Sequence, residues 1–490
     1  MILYLRRLAR GGGLLGEILK RKVAERKLMV VDYSSPNIAK HFHIGNLRST
    51  LVGEFFCKIN RLAGHEVKTV NYLGDWGTQF ALLAAYWPQS EARREYEQMA
   101  ADSTVRERLV PLMKGYVEAS QHVEKNPAFR SEVANEHLAR MEEALIAGRT
   151  DDPALRLWSE FRQLSCEYLT QFYAELGISF DHWDAESVHV PAARRLVDRL
   201  VDSPAASRTS TGLWIVRNET TSTYSVLRRT NKSTLEVACA LARDDRFHAD
   251  SYVYIVDLAQ TSHFQHLKHL LEVVGRKDLA EKIVHQQFGR VIGMSTRRQR
   301  VELVEEVLAD GVQRAEKFVR KSPTMKVPEE EIPEVCRELA EAALFLNEFK
   351  RNKASNYTFF VKDALNPKTR PFFLHEKYAR LCSVIENNPD LNDELRGRLD
   401  SEMSPLGLET DGISRGLTQC LYEMDGALFT SYSTAEASAL FNYMNRLATS
   451  PIRDEPDRNV ALNRLLLLTA ARNVMGECLE LFGLKPLKRI

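Results

Sequence analysis

Paired cysteines are missing from this sequence. The seven cysteines among 490 residues stand singly at 57, 166, 239, 336, 382, 420 and 478. Without a Cys-x-x-Cys pair, a zinc knuckle or a disulfide framework is not expected, and buried free thiols in a reducing compartment are. No apolar run approaches the roughly 18 to 20 residues that span a bilayer, so no transmembrane helix is expected either. An excess of one charge is also absent: 67 Lys and Arg oppose 66 Asp and Glu, a net charge of +1. Any contact with nucleic acid must therefore come from local basic patches. No internal repeat or low-complexity segment occurs. Acidic residues are lacking before Glu17, where Arg6, Arg7, Arg10 and a Gly11-Gly12-Gly13 break occur. Two readings of that start stand open: a mitochondrial presequence, or a basic helical piece of a folded N-terminal module.

What is present is patterned. A 490-residue chain is too long for one core and divides into several domains. Residues 28–33 form a short valine-bearing apolar run of the kind that makes a buried parallel strand. A polar stretch follows, broken by Pro36. Residues 47–63 carry apolar side chains at helical spacing, Gly64 closes that helix, and residues 67–73 read as a second strand. Strand, loop, helix and strand in so short a span predict a βαβ unit, the opening of a doubly wound sheet. From about residue 82 to 200 the pattern is helical and charged. Strand-like runs return at 213–216, 224–227 and 252–256, and a helix is expected from about 264 to 274. The strands on either side of the helical block read as halves of one sheet. Beyond residue 301 nearly everything is helical. The expected fold is thus an α/β Rossmann-type parallel-sheet domain over 27–300, with a helical insertion at about 82–200. A helical connector over 301–360 and an all-α bundle over 361–490 follow, after a basic segment at 1–26.

Chemistry is expected where the first strand meets the first helix. His43, Gly45 and Asn46 stand at that junction. A helix N-terminus offers unpaired N–H donors and partial positive charge, which suits a phosphate. Gly45 lets backbone approach a ligand closely. His43 donates a hydrogen bond in either charge state. A lone His-x-Gly would more often be a satisfied turn histidine.

The surroundings change that weighting. Ser34-Ser35-Pro36-Asn37-Ile38-Ala39-Lys40, then His41-Phe42, then His43-Ile44-Gly45-Asn46-Leu47-Arg48-Ser49-Thr50 resembles the signature of arginyl-tRNA synthetases, members of class I. Asn71-Tyr72-Leu73-Gly74-Asp75-Trp76-Gly77-Thr78-Gln79-Phe80 is similar to the family's second block. Met294-Ser295-Thr296-Arg297-Arg298 stands where class I enzymes carry a mobile ATP loop. Phe373-Leu374 and Tyr378-Ala379-Arg380-Leu381 resemble the start of the anticodon-binding domain, and Leu481-Phe482-Gly483-Leu484-Lys485-Pro486-Leu487 the family's C-terminus. The arrangement looks most like the mitochondrial branch.

The resemblance implies an ATP-dependent, two-step ligation of arginine to tRNA(Arg) through arginyl-adenylate, with ATP as a substrate accompanied by Mg2+. It implies a monomer off the membrane, in the mitochondrial matrix or the cytoplasm. It assigns Lys40, His43, Gly45 and Asn46 to catalysis, and His43, Gly45, Asn46, Met294, Ser295, Arg297 and Arg298 to ATP. It assigns Ser35, Asn37, His43, Glu186, Glu236 and Gln260 to arginine, and Tyr378 and Arg380 to tRNA.

Four departures from the family pattern qualify the resemblance. Asn46 replaces a histidine and cannot become cationic; a loss of about 1–3 kcal/mol of transition-state stabilisation is reasonable. Gly293 and Thr296 replace the ATP-loop lysines, and Lys40 occupies a position thought to compensate. A guanidinium buried without acceptors is prohibitive, yet the family's tyrosine-and-aspartate pair aligns with Glu236 and Ala240. Glu236 is therefore expected to supply the second carboxylate from a neighbouring position. Finally, only about 26 residues precede the first strand, where the family carries a tRNA-elbow domain. A synthetase-like binding protein that has lost catalysis is the alternative these departures favour. Basic clusters at Arg290 with Arg297, Arg298 and Arg300, at Lys350, Arg351 and Lys353, and at Lys485, Lys488 and Arg489 suit tRNA phosphates. Tyr357, Phe359, Phe372, Phe373 and Tyr378 suit either base stacking or core packing.

Overall fold

The computed structural model describes residues 2–38, 40–219, 222–227, 232–292, 302–322, 325, 327–366, 370–400, 412–449 and 457–490. Valine-rich β1 (Leu28–Asp32) and β2 (Glu66–Leu73) pair in parallel, joined by the helix Ile44–Ala63. β3 (His182–Ala185) adds to β2 on one side, and later strands add to β1 on the other. Along β1, neighbouring side chains point to opposite faces. Val30 joins a cluster with Val70, Leu196, Phe264 and Leu270, whereas Val31 joins one with Val52, Phe56 and Ile255. Both faces of the sheet are therefore covered, as a parallel sheet requires. The 44–63 helix approaches so closely that a Cβ on Gly53 would lie 2.2 Å from the Tyr33 ring.

One expectation about the sheet is corrected. The runs at 213–216 and 224–227 do not belong to it. They are β5 (Trp214–Asn218) and β6 (Thr223–Leu227), which form a separate antiparallel sheet with β4 (Ala206–Arg208). The main sheet instead runs β3-β2-β1-β7-β8, with β7 (Ser251–Asp257) and β8 (Ile283–Phe288). β3 and β8 escaped the sequence reading because neither is a simple apolar run. Four-residue β3 carries His182 and Asp184, and β8 has the polar middle His285-Gln286-Gln287.

Short β9 (Val291–Ile292) and β10 (Tyr357–Thr358) pair in parallel. Around them the chain turns helical. Ile332–Phe349 is buried along most of its length and packs on Val304–Lys321 and Arg370–Glu386. The long closing helix Arg458–Leu481 packs on Arg370–Glu386 and on the first helix, Ile2–Arg10. Of the two readings of the N-terminal segment, the packed helical one describes its conformation here. Leu5, Leu8, Leu15 and Leu19 are buried. Asn473 Nδ2 donates to the Leu8 and Ala9 carbonyls at 2.9 and 2.8 Å, and the Leu14 and Leu15 N–H groups donate to the Glu477 carboxylate at 3.1 and 2.9 Å. Among the described residues no helix is long and apolar enough to cross a membrane. All seven cysteines are free.

Candidate active site

The site lies at the C-terminal ends of the parallel strands, where ligands of such sheets collect. After β1 the chain turns sharply: Ser34 and Ser35 both take left-handed backbone angles, with φ of 68° and 43°. Side-chain bonds hold that turn. Ser34 Oγ lies 2.6 Å from both Thr50 Oγ1 and Tyr173 Oη, and Ser35 Oγ donates to Asp32 Oδ1 at 2.5 Å. Asn37 then lies alongside Gly74 at the end of β2, the Ile38 N–H donating to the Gly74 carbonyl at 3.2 Å. A Cβ on Gly74 would fall 2.0 Å from Asn37 Oδ1, so only glycine admits this contact.

His43 is the N-cap of the 44–63 helix. Its Nδ1 accepts from the Asn46 N–H at 3.3 Å, while Asn46 Oδ1 accepts from the His43 N–H at 3.1 Å. This reciprocal capping box gives Asn46 a local reason to be there: its oxygen closes the helix start, and its Nδ2 keeps the donors. Burial, assisted by the Lys40 charge, lowers the His43 pKa to about 4. At neutral pH the ring is therefore uncharged, and because Nδ1 accepts, Nε2 carries the proton and is the donor. The backbone beside His43 is tied to the segment after residue 301, with the Ile44 N–H donating to the Glu302 carbonyl at 3.1 Å and His43 bridging to Leu303. Met294, Ser295, Arg297 and Arg298 lie outside the described residues.

Asp75 fastens the next piece. Wholly buried, it accepts from the Ser187 N–H at 2.8 Å, Ser187 Oγ at 2.7 Å and Arg162 Nε at 2.7 Å, and its carbonyl accepts from Trp158 Nε1 at 2.6 Å. These bonds seat the first turn of the helix Glu186–Val201, which places Glu186 on the wall of a cavity of about 890 Å³. Asn37, Lys40 and Trp76 share that wall. The far side is Met113, Tyr116 and Val117 of the helix Val105–Lys125. Lys40 Nζ stands 5.9 Å from the Tyr116 ring centre. Neither His43 nor Asn46 lines this cavity, so it flanks the helix N-terminus rather than containing it.

A buried charge cluster joins β1, β3 and the helix Lys232–Phe247. Arg243, on the helix Lys232–Phe247, is buried with its guanidinium 2.7 Å from Asp32 and 3.3 Å from Asp184, over the rings of Tyr72 and Tyr254. His189 Nε2 meets Asp184 at 2.8 Å, and Cys239 Sγ donates to it at 3.4 Å. Burial raises the Asp184 pKa, but the His189 bond and the Arg243 charge outweigh it and hold the carboxyl well below its usual range. Asp184, His189 and Cys239 have ligand-type atoms within 4.8 Å of one another. The Arg243 cation on the same carboxylate opposes a metal ion there. Glu236 pairs with His263. Gln260 ends the short turn after β7, the strand that neighbours β1.

Of the residues expected in the site, Asn37, Lys40 and Glu186 line the cavity, His43, Gly45 and Asn46 form the helix start beside it, Ser35 lies in the turn after β1, and Glu236 and Gln260 do not line the cavity. Tyr378 and Arg380 lie apart, on the helix Arg370–Glu386. Tyr378 is 8% exposed and packs against Gly476, so its ring is not offered to a base, whereas Arg380 is exposed. Phe359 and Phe372 are buried, and Tyr357 donates to Glu348 at 2.7 Å; core packing accounts for all three. Sequence reasoning passed over Arg243, Asp184, His189 and His263, which no local pattern marks and whose partners are remote in the chain.

Comparison with known proteins agrees with this geometry. Residues 14–361 match the family of class I tRNA synthetases (R), catalytic domain, and residues 374–490 match the DALR anticodon binding domain. A Mus musculus protein described as a probable mitochondrial arginine–tRNA ligase is 30% identical over 483 residues, covering 95% of this chain and 79% of the relative. An arginine–tRNA ligase of Encephalitozoon cuniculi is 28% identical, covering 96% and 81%. The fold is similar to that of Thermus thermophilus arginyl-tRNA synthetase, with a TM-score of 0.72 at 18% identity, covering 97% of this chain and 86% of that one. With the catalytic and anticodon-binding domains matched in order, the chain belongs to the arginyl-tRNA synthetases of class I.

Proposed function

We propose that this protein ligates arginine to tRNA(Arg) in mitochondria, acting as a monomer and taking ATP as its magnesium complex. Membership of the family carries the ligation, and the mitochondrial relatives support the compartment. The arginine carboxylate attacks the α-phosphate of ATP, pyrophosphate leaves, and arginyl-adenylate forms. A ribose hydroxyl of the terminal adenosine then attacks the arginyl carbonyl, and AMP leaves. Such steps ask the protein mainly to position reactants and to meet charge growing on phosphate oxygens.

In this reading the uncharged His43 donates from Nε2 to a phosphate oxygen, together with the N–H groups of the helix start. Gly45 leaves room for that approach, and Asn46 Nδ2 adds a neutral donor. Lys40 brings a positive charge to the adjoining cavity, and Met294, Ser295, Arg297 and Arg298 are assigned to ATP by the family pattern. Asn37, Glu186, Glu236 and Gln260 take the arginine, with Ser35 shaping the turn beneath it. Arg380 is the tRNA contact we retain from the anticodon block.

The measurement is charging of organellar tRNA(Arg) with labelled arginine, with tRNA present throughout. Arginine-specific, ATP-dependent charging is expected. Retained tRNA binding without any charging would instead identify a binding protein that has lost catalysis.

A further inference from the structure

The altered arginine pocket leaves a gap in its own chemistry. A guanidinium presents five N–H donors in a plane and needs acceptors around its rim. Asp32 and Asp184 lie nearby, but both are engaged by Arg243, the chain's own guanidinium. They are thereby removed as counter-charges for an incoming cation. Glu186 stands on the cavity wall together with Glu124 and Glu306, and Glu236 is held by His263. The charges of Glu186 and Glu236 both reach one further polar side chain. Tyr72, on β2, is fixed at both ends of its environment: its N–H donates to Ser35 Oγ at 3.1 Å, and its ring lies 5.1 Å from the Arg243 guanidinium and 6.3 Å from the His189 ring. Its hydroxyl is shielded from solvent and has no hydrogen-bond partner among the described residues. Buried hydroxyls are normally bonded, and an unmade bond is costly. Burial drives the Tyr72 pKa well up, and the charges of Glu186 and Glu236 stand close enough to push it further, so the hydroxyl keeps its proton.

We propose that the Tyr72 hydroxyl is a specificity-determining contact for the arginine side chain, standing between Glu186 and Glu236 as the third acceptor of the guanidinium. The oxygen accepts one guanidinium N–H, and the hydroxyl, still protonated, donates a hydrogen bond to a carboxylate. The tyrosine of the pocket thus comes from a sheet strand, and the helix position that aligns with the family's tyrosine is free to carry Glu236. This inference rests on arginine being the substrate.

The test compares wild-type enzyme with Tyr72→Phe in charging kinetics and in thermal unfolding with and without arginine. KM for arginine is expected to rise roughly tenfold, the size of one hydrogen bond, with kcat and KM for ATP within about twofold of wild type. Because the hydroxyl is unpaired without ligand, the unfolding temperature of the free variant should equal or exceed that of wild type, while its gain on adding arginine shrinks. An arginine KM unchanged by the substitution overturns the proposal. So does a fall in free-protein stability with parallel rises in both KM values, which would mark a packing role. Wild-type enzyme that neither charges nor is stabilised by arginine would refute the substrate itself, a result separable from either of these.

Discussion

At the scale of single residues, the helix start at His43 joins structure and chemistry in one side chain. Nδ1 caps the helix and Nε2 is the donor. Asparagine is a good N-cap but lacks that ring, so His43→Asn separates the two tasks. Stability to urea should stay within about 1 kcal/mol of wild type, because the cap is kept. The rate of adenylate formation should fall roughly a hundredfold, as when one preorganised donor to a developing oxyanion is removed. Charging kinetics beside an unfolding curve give both numbers, and an unaltered rate would assign His43 to capping alone. Asn46 shows why motif letters mislead when read singly. Read against the family it is a lost histidine; in place, its oxygen answers the His43 N–H and makes the helix start self-consistent.

At the scale of elements, the N-terminal helix Ile2–Arg10 is part of the helical half. Leu8 is wholly buried and its carbonyl accepts from Asn473. Leu8→Ala should cost about 2–5 kcal/mol through lost burial and the cavity left behind, measured as a shifted denaturant midpoint. A cost under half a kcal/mol would mean that this helix does not hold the fold. The sequence displayed the arginines and the glycine break of this segment but not its docking partner. A helix of nine residues carries its apolar stripe wherever it goes; which surface receives it is set 465 residues away. β3 and β8 were hidden for a related reason. Their polar residues find partners on packed helices, His182 against Phe247, Asp184 with His189 and Arg243, His285 on Phe264 and Gln287 with Thr261, so no apolar period marks them.

At the scale of the whole molecule, buried histidines tie stability to pH. Burial lowers His43 and His375 to about 4 from 6.5, His375 with no exposed surface and burial as its cause. The unfolded chain takes up protons below pH 6.5, and the folded one does not until near 4. The stability these groups contribute is whole above pH 6.5 and is lost as pH falls from there toward 4. Each should remove about 2 kcal/mol between pH 7.5 and pH 5. Urea unfolding at the two pH values measures this. His375→Gln should lose less on acidification than wild type; an equal loss would discard His375 as a source.

The opening βαβ unit, the helical second half, the two signature blocks and the family were legible from sequence alone, because each rests on neighbours within a few tens of residues. Helices declare themselves by their period, and Ser34 to Asn46 and Asn71 to Phe80 are contiguous. Pairing between distant charges was decided only by the tertiary structure. Arg243 meets Asp32 and Asp184, Asp75 seats Ser187, and the Tyr72 hydroxyl is left without a partner. A charged or hydroxyl side chain looks the same in sequence whether it faces solvent, a counter-ion or a substrate. Only folding brings its neighbours near enough to tell, and there burial makes a missing partner costly.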